Sequence, residues 1–164
     1  MTKVSVIIDH SGSMSCMSKT DIAESLCRTF FLQENFEFDF YCWSSSIEKI
    51  EYETGTLIRD VGGNANIAVL IDFLKHRESD NVLLLTDGFI DGDKTELAQA
   101  IRTQEHLKLK LIGIGADWDA ARAAKIFPPD FIAEGRSKYI FTALEAAAAL
   151  DAFLDPTASV GGSR

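Results

Sequence analysis

Residues 3–14 read KVSVIIDHSGSM, and the change of character at Asp9 decides how the rest of the chain is organised. Lys3 to Ile8 is a Val- and Ile-rich run without regular polar alternation, as expected of a strand buried on both faces of a helix-covered sheet. At Asp9 the run gives way to a polar loop. Asp9, Ser11 and Ser13 stand at i, i+2 and i+4, a spacing that in extended chain sends three side chains to the same side. Gly12 between them lets the backbone turn tightly.

The same alternation of short apolar run and helical stretch continues along the chain, which is the pattern of a parallel sheet covered by helices. Residues 20–33 place Ile22, Ala23, Leu26, Thr29 and Phe30 at helical spacing, with Thr20 as the expected N-cap. Phe36, Phe38, Phe40 and Cys42 then alternate with Glu37, Asp39 and Tyr41. A second short strand over residues 47–52 is expected to pair with them through the turn at Ser44 to Ser46. Ile67, Leu70, Ile71 and Leu74 share one helical face that ends at Lys75 and His76, and basic residues suit a helix C-terminus. Residues 81–85 form a buried run that stops at Thr86-Asp87-Gly88. Residues 94–104 are helical with Leu97, Ala98 and Ile101 inward, and residues 107–114 are the next strand. A short helix through Ile126 follows, capped by Asp117 or Asp119 and stopped by Pro128 and Pro129. A last strand is expected over residues 138–141 and a last helix over 143–154. Residues 1–155 read as a single domain, and residues 156–164 have the Gly, Ser and Pro content of a frayed, disordered tail.

The 164 residues are 46% hydrophobic and 25% charged, near the average for one globular domain and long enough to fold without staples. Sixteen basic residues against twenty-five acidic ones leave a net charge of −9, and the pI is near 4.7. Such a chain repels phosphate backbones and anionic lipid, so neither nucleic acid nor membrane is an expected partner. Cys16, Cys27 and Cys42 are odd in number and form no Cys-x-x-Cys pair, which argues against a disulfide framework or zinc knuckle. With no secretory signal and no apolar stretch of membrane-spanning length, a cytoplasmic, reducing compartment is expected.

Ligands of open α/β sheets bind beyond the carboxyl ends of the strands, where the strand order reverses. The first strand ends at Asp9 and the fourth at Asp87. In the strand order 3-2-1-4-5-6 the two carboxylates converge. Two carboxylates and several hydroxyls about one point make a hard oxygen-ligand site for a divalent cation such as Mg²⁺, whose charge offsets the repulsion of the acids.

Asp9-His10-Ser11-Gly12-Ser13-Met14 after a first strand, Gly62-Gly63 in a later loop, Thr86-Asp87-Gly88 after a buried strand, and Ile112-Gly113-Ile114-Gly115 on the next together resemble the von Willebrand factor A-type domain. The match is to its metal-ion-dependent adhesion site and covers nearly the whole chain in order. The resemblance implies an α/β, Rossmann-like, doubly wound and mostly parallel six-stranded sheet with one antiparallel edge strand and helices on both faces. It also implies bound Mg²⁺ or Mn²⁺ and a binding function without catalysis. The family places a threonine after the double glycine, where this chain has Asn64. An Asn amide oxygen is a competent hard ligand, and the ligand and helix-cap readings of Asn64 stand level; for Asn66 the cap is favoured. The metal set read here is Asp9, Ser11, Ser13, Asn64 and Asp87. Asp91 and Asp93 read as a solvated turn with an N-cap.

This reading makes the chain a metal-dependent protein-binding module, an adaptor or assembly factor that captures a partner's Asp or Glu carboxylate. The resemblance further implies an AAA-type ATPase system as a partner. Two rivals remain: an Mg²⁺-dependent phosphohydrolase or phosphotransferase on a similar sheet, and a metal-free scaffold made credible by Asn64. The first lacks an Asp-x-Asp nucleophile pair and a phosphate-binding Gly-x-x-x-x-Gly-Lys loop.

Overall fold

The computed structural model describes residues 1–51, 61–118, 120–127 and 132–133. Strand β1 (Thr2–Asp9) sits at the centre of the sheet, and from Val4 onward every residue in it is buried. Parallel pairing with β2 (Phe36–Trp43) on one side and β4 (Asn81–Thr86) on the other accounts for that. Strand β3 (Ile47–Ile50) folds back antiparallel on β2, with Phe40 opposite Ile50 and Trp43 opposite Ile47. Beyond β4 lie β5 (Lys108–Gly113) and the two-residue β6 (Ile132–Ala133), both parallel. The sheet order is β3-β2-β1-β4-β5-β6, the mostly parallel arrangement with an antiparallel edge that the sequence implied. The strand expected at 138–141, the helix expected at 143–154 and the tail at 156–164 lie outside the described residues.

Helices α1 (Lys19–Phe31), α2 (Ile67–His76), α3 (Lys94–Arg102) and α4 (Ala120–Ile126), with a single 3-10 turn over Gly12–Ser15, complete the described elements. Alternation along the central strands divides the core into two layers. Val4, Val6, Ile8, Leu83, Leu85 and Ile112 pack with Ala23, Leu26, Cys27 and Phe30 of α1. Ile7, Val82, Leu84, Leu109 and Leu111 face the other way, onto Leu70, Ile71 and Leu74 of α2 and Leu97 and Ile101 of α3. A central strand with apolar side chains on both faces is stable only between two such layers. The strand order reverses between β1 and β4, which opens a crevice at their carboxyl ends.

Two caps follow the sequence. Asn66 Oδ1 accepts from the backbone N–H groups of Ala68 (2.9 Å) and Val69 (3.4 Å) at the start of α2. Asp93 Oδ1 does the same for Thr95 (2.9 Å) and Glu96 (3.2 Å) at the start of α3. The start of α1 departs from expectation: its N-cap is Ser18, which makes no side-chain capping bond, and Thr20 lies inside the helix. The reason is a tight turn in which both Met17 (φ 56°) and Ser18 (φ 55°) adopt the left-handed conformation. Asp117, one of the two caps expected for α4, forms an ion pair instead. No helix among the described residues is long and apolar enough to cross a membrane. Cys16, Cys27 and Cys42 are free thiols.

Candidate metal centre

Because Ile8 pairs with Leu85, Asp9 and Thr86 leave the sheet side by side. Thr86 Oγ1 donates to Asp9 Oδ2 at 2.5 Å, while the backbone N–H and Oγ of Ser11 donate to Oδ1 at 2.9 and 2.6 Å. Thr86 is itself fixed by the N–H of Gly88, which donates to its Oγ1 at 3.0 Å. Asp9 has no exposed surface. Burial pushes its carboxyl up to about 6, against the lowering effect of the Ser11 and Thr86 hydrogen bonds. A carboxylate held this deep gains from a nearby cation.

The loop that follows β1 is docked on the loop that precedes α2. Gly12 N donates to Gly63 O at 2.9 Å and Gly62 N to His10 O at 3.0 Å, so the double glycine lies against the serine loop. Ser11 Oγ and Ser13 Oγ stand 3.1 Å apart. Adjacent ligands of an octahedral Mg²⁺ with bonds near 2.1 Å are separated by roughly 3.0 Å, so the two hydroxyls already have the spacing of one octahedral edge. Both line a cavity of about 130 Å³ together with Gly63, Asn64, Phe89 and Asp91. Asn64 is exposed at the rim, and Asn66, spent on its cap, lies outside that lining. No group of three or more His, Cys, Asp or Glu that could hold a metal occurs among the described residues. The candidate donors around the cavity are hydroxyls, an amide and carboxylates, hard oxygens that would fit a hard divalent cation.

Asp87 is turned differently. Its Oδ1 accepts from Phe89 N at 3.1 Å and its Oδ2 from Lys19 Nζ at 2.8 Å. The same ammonium donates to Asp117 Oδ2 at 2.8 Å and to Ser13 O at 3.2 Å, and lies 5.4 Å from the centre of the Phe89 ring. Lys19 is 1% exposed, as deeply buried as the apolar core. Burial works to lower its pKa, but the ion pairs with Asp117 and Asp87 prevail and raise it. The sequence reading missed Lys19, Asp117 and the hydroxyl of Thr86. The available signal was Lys19 heading the stripe that Ala23, Leu26 and Phe30 continue along α1.

Solved structures share the fold of this chain. A von Willebrand factor type A protein from Catenulispora acidiphila superposes with a TM-score of 0.60 at 19% identity, over 93% of this chain and 42% of its own. Manganese-loaded TRAP protein of Plasmodium vivax gives 0.61 at 18% identity, over 94% and 73%. Proximal thread matrix protein 1 from the mussel byssus, with zinc occupying its metal-ion-dependent adhesion site, gives 0.57 at 14%, over 80% and 40%. This chain thus spans less than half of the first and third of these proteins. No protein-family model matches the sequence, and no curated protein does. At these identities the likeness is one of architecture: the chain has the von Willebrand factor A fold.

Proposed function

We propose that the chain is a metal-dependent protein-binding module in which Asp9, Ser11, Ser13 and Asn64 surround a divalent cation, Mg²⁺ or Mn²⁺, with Asp87 standing behind them in its ion pair with Lys19. The observation that carries this reading is the pair of serine hydroxyls at octahedral-edge spacing, beside a buried carboxylate and at the mouth of a small open cavity. Metal occupancy in the structurally similar TRAP and byssus proteins supports it.

The roles divide by chemistry. Ser11 and Ser13 are neutral donors, so they leave the charge of a bound cation largely intact. Asp9 would supply negative charge and is oriented by Ser11 and Thr86, with hydrogen bonds on both oxygens. Such a carboxylate is built to hold its place, and this favours a binding role over a nucleophilic one. When bound, the cation offers a Lewis-acidic seat for an outside carboxylate, the Asp or Glu of a partner protein. Phe89, 42% exposed at the rim, adds apolar area beside that seat. The suggested ATPase partner rests on resemblance alone and forms no part of the proposal.

Titration with Mn²⁺ followed by electron paramagnetic resonance tests the site. One ion should bind, and Asp9→Ala or the double change of Ser11 and Ser13 to Ala should weaken it at least about tenfold. Water-proton relaxation by the bound Mn²⁺ should fall when glutarate is added, as a carboxylate takes a water's place. Binding that survives Asp9→Ala unchanged would refute the assignment.

A further inference from the structure

Lys19 is a fully buried ammonium within the loops of the proposed ion site, and several features of the chain serve to place it. Met17 and Ser18 adopt consecutive left-handed conformations, unfavourable for residues with a side chain, and so turn the first residue of α1 inward. Gly115, with φ +96°, provides the space: a Cβ there would lie 2.8 Å from Lys19 Cε and 3.0 Å from Lys19 Cγ. The ammonium then meets Asp87, Asp117 and the backbone oxygen of Ser13. Strain, cradle and partners all converge on one charge.

Its position is specific. Among the described residues the hydrogen bonds of Lys19 Nζ go to Ser13 O, Asp87 Oδ2 and Asp117 Oδ2, and the side chain does not line the cavity. It stands behind the cavity and draws Asp87 Oδ2 toward itself, while the backbone of Phe89 holds Oδ1. Both oxygens of Asp87 are thereby engaged.

We propose that Lys19 is a resident counter-ion that withholds Asp87 from the cation and sets the affinity and residual positive charge of the site. It is a positioning residue, acting through Asp87. The inference rests on the proposed metal site but goes beyond it, because a site of Asp9, Ser11 and Ser13 does not by itself require an internal cation. With Asp87 neutralised by the lysine, a divalent ion meets fewer anionic ligands, is held more loosely, and keeps more of its charge for a partner's carboxylate.

The test is a set of Mn²⁺ titrations on the full chain, with folding checked by circular dichroism. Lys19→Met should tighten binding at least about tenfold, since one positive charge leaves and Asp87 is released. Lys19→Arg, which keeps the charge, should bind less tightly than any of the neutral variants. The double variant Lys19→Met with Asp87→Asn removes both members of the pair and should return the affinity toward wild type, as expected when the gain runs through Asp87. Lys19→Gln, which retains a donor for Asp87, should also tighten binding and serves if the methionine variant does not fold. Equal or weaker affinity in the neutral variants, with wild type still binding Mn²⁺, overturns the role of Lys19 and leaves the metal site standing. Binding by the neutral variants alone supports Lys19 and refutes a metal-dependent wild-type function. Binding by none of them refutes both.

Discussion

A methyl group at position 115 would press on the lysine stem at 2.8 Å and force an L residue into a left-handed backbone. Gly115→Ala is therefore expected to lower stability by about 1–3 kcal/mol in urea unfolding. Gly113→Ala should cost more, because its Cβ would fall 2.3 Å from the Trp118 ring, which is 4% exposed and closely packed. These two glycines also show where sequence reading ends. Asp9, Ser11, Ser13 and Thr86-Asp87-Gly88 are legible because their chemistry sits in short, locally spaced stretches beside buried strands. Gly113 and Gly115 are visible as a pattern, but their partners, Trp118 and Lys19, are fixed only by tertiary packing. Lys19 reads as a solvated helix-end lysine unless its place on the Ala23, Leu26 and Phe30 stripe is weighed.

Helix α2 shows how the loop that precedes it divides its labour. Asn66→Ala removes the cap of two N–H groups and should cost about 1 kcal/mol, read as a lower urea midpoint with an unchanged slope. Asn64→Ala should leave that midpoint unmoved and weaken Mn²⁺ binding, because Asn64 lines the cavity and caps nothing among the described residues. The reverse pattern would make Asn64 structural. Legibility of whole elements follows the same physics. The inward faces of α2 and α3 were readable residue by residue, since an apolar stripe at helical spacing has only one way to be buried. The start of α1 was not, because Thr20 before an apolar run looks like a cap, and nothing local reveals a left-handed turn two residues earlier.

The sheet as a whole brings together loops that are distant in sequence: Asp9 and Thr86 are 77 residues apart, Lys19 and Asp117 are 98. An ion bridging such loops favours the folded state over the unfolded one. At a concentration about 100 times its dissociation constant, Mn²⁺ should stabilise the chain by about 2.7 kcal/mol. The shift in thermal midpoint should vanish with chelator and in Asp9→Ala. Overall order was readable because alternating strands and helices admit few topologies; the ion pair of Asp87 with Lys19 was not, since it depends on a side chain arriving from another element. The most direct test is anomalous diffraction from a Mn²⁺-soaked crystal of the wild type. A peak is predicted within about 2.0–2.6 Å of both Ser11 Oγ and Ser13 Oγ, with Lys19 still paired to Asp87. A peak elsewhere, or none at saturating Mn²⁺, would contradict the metal centre.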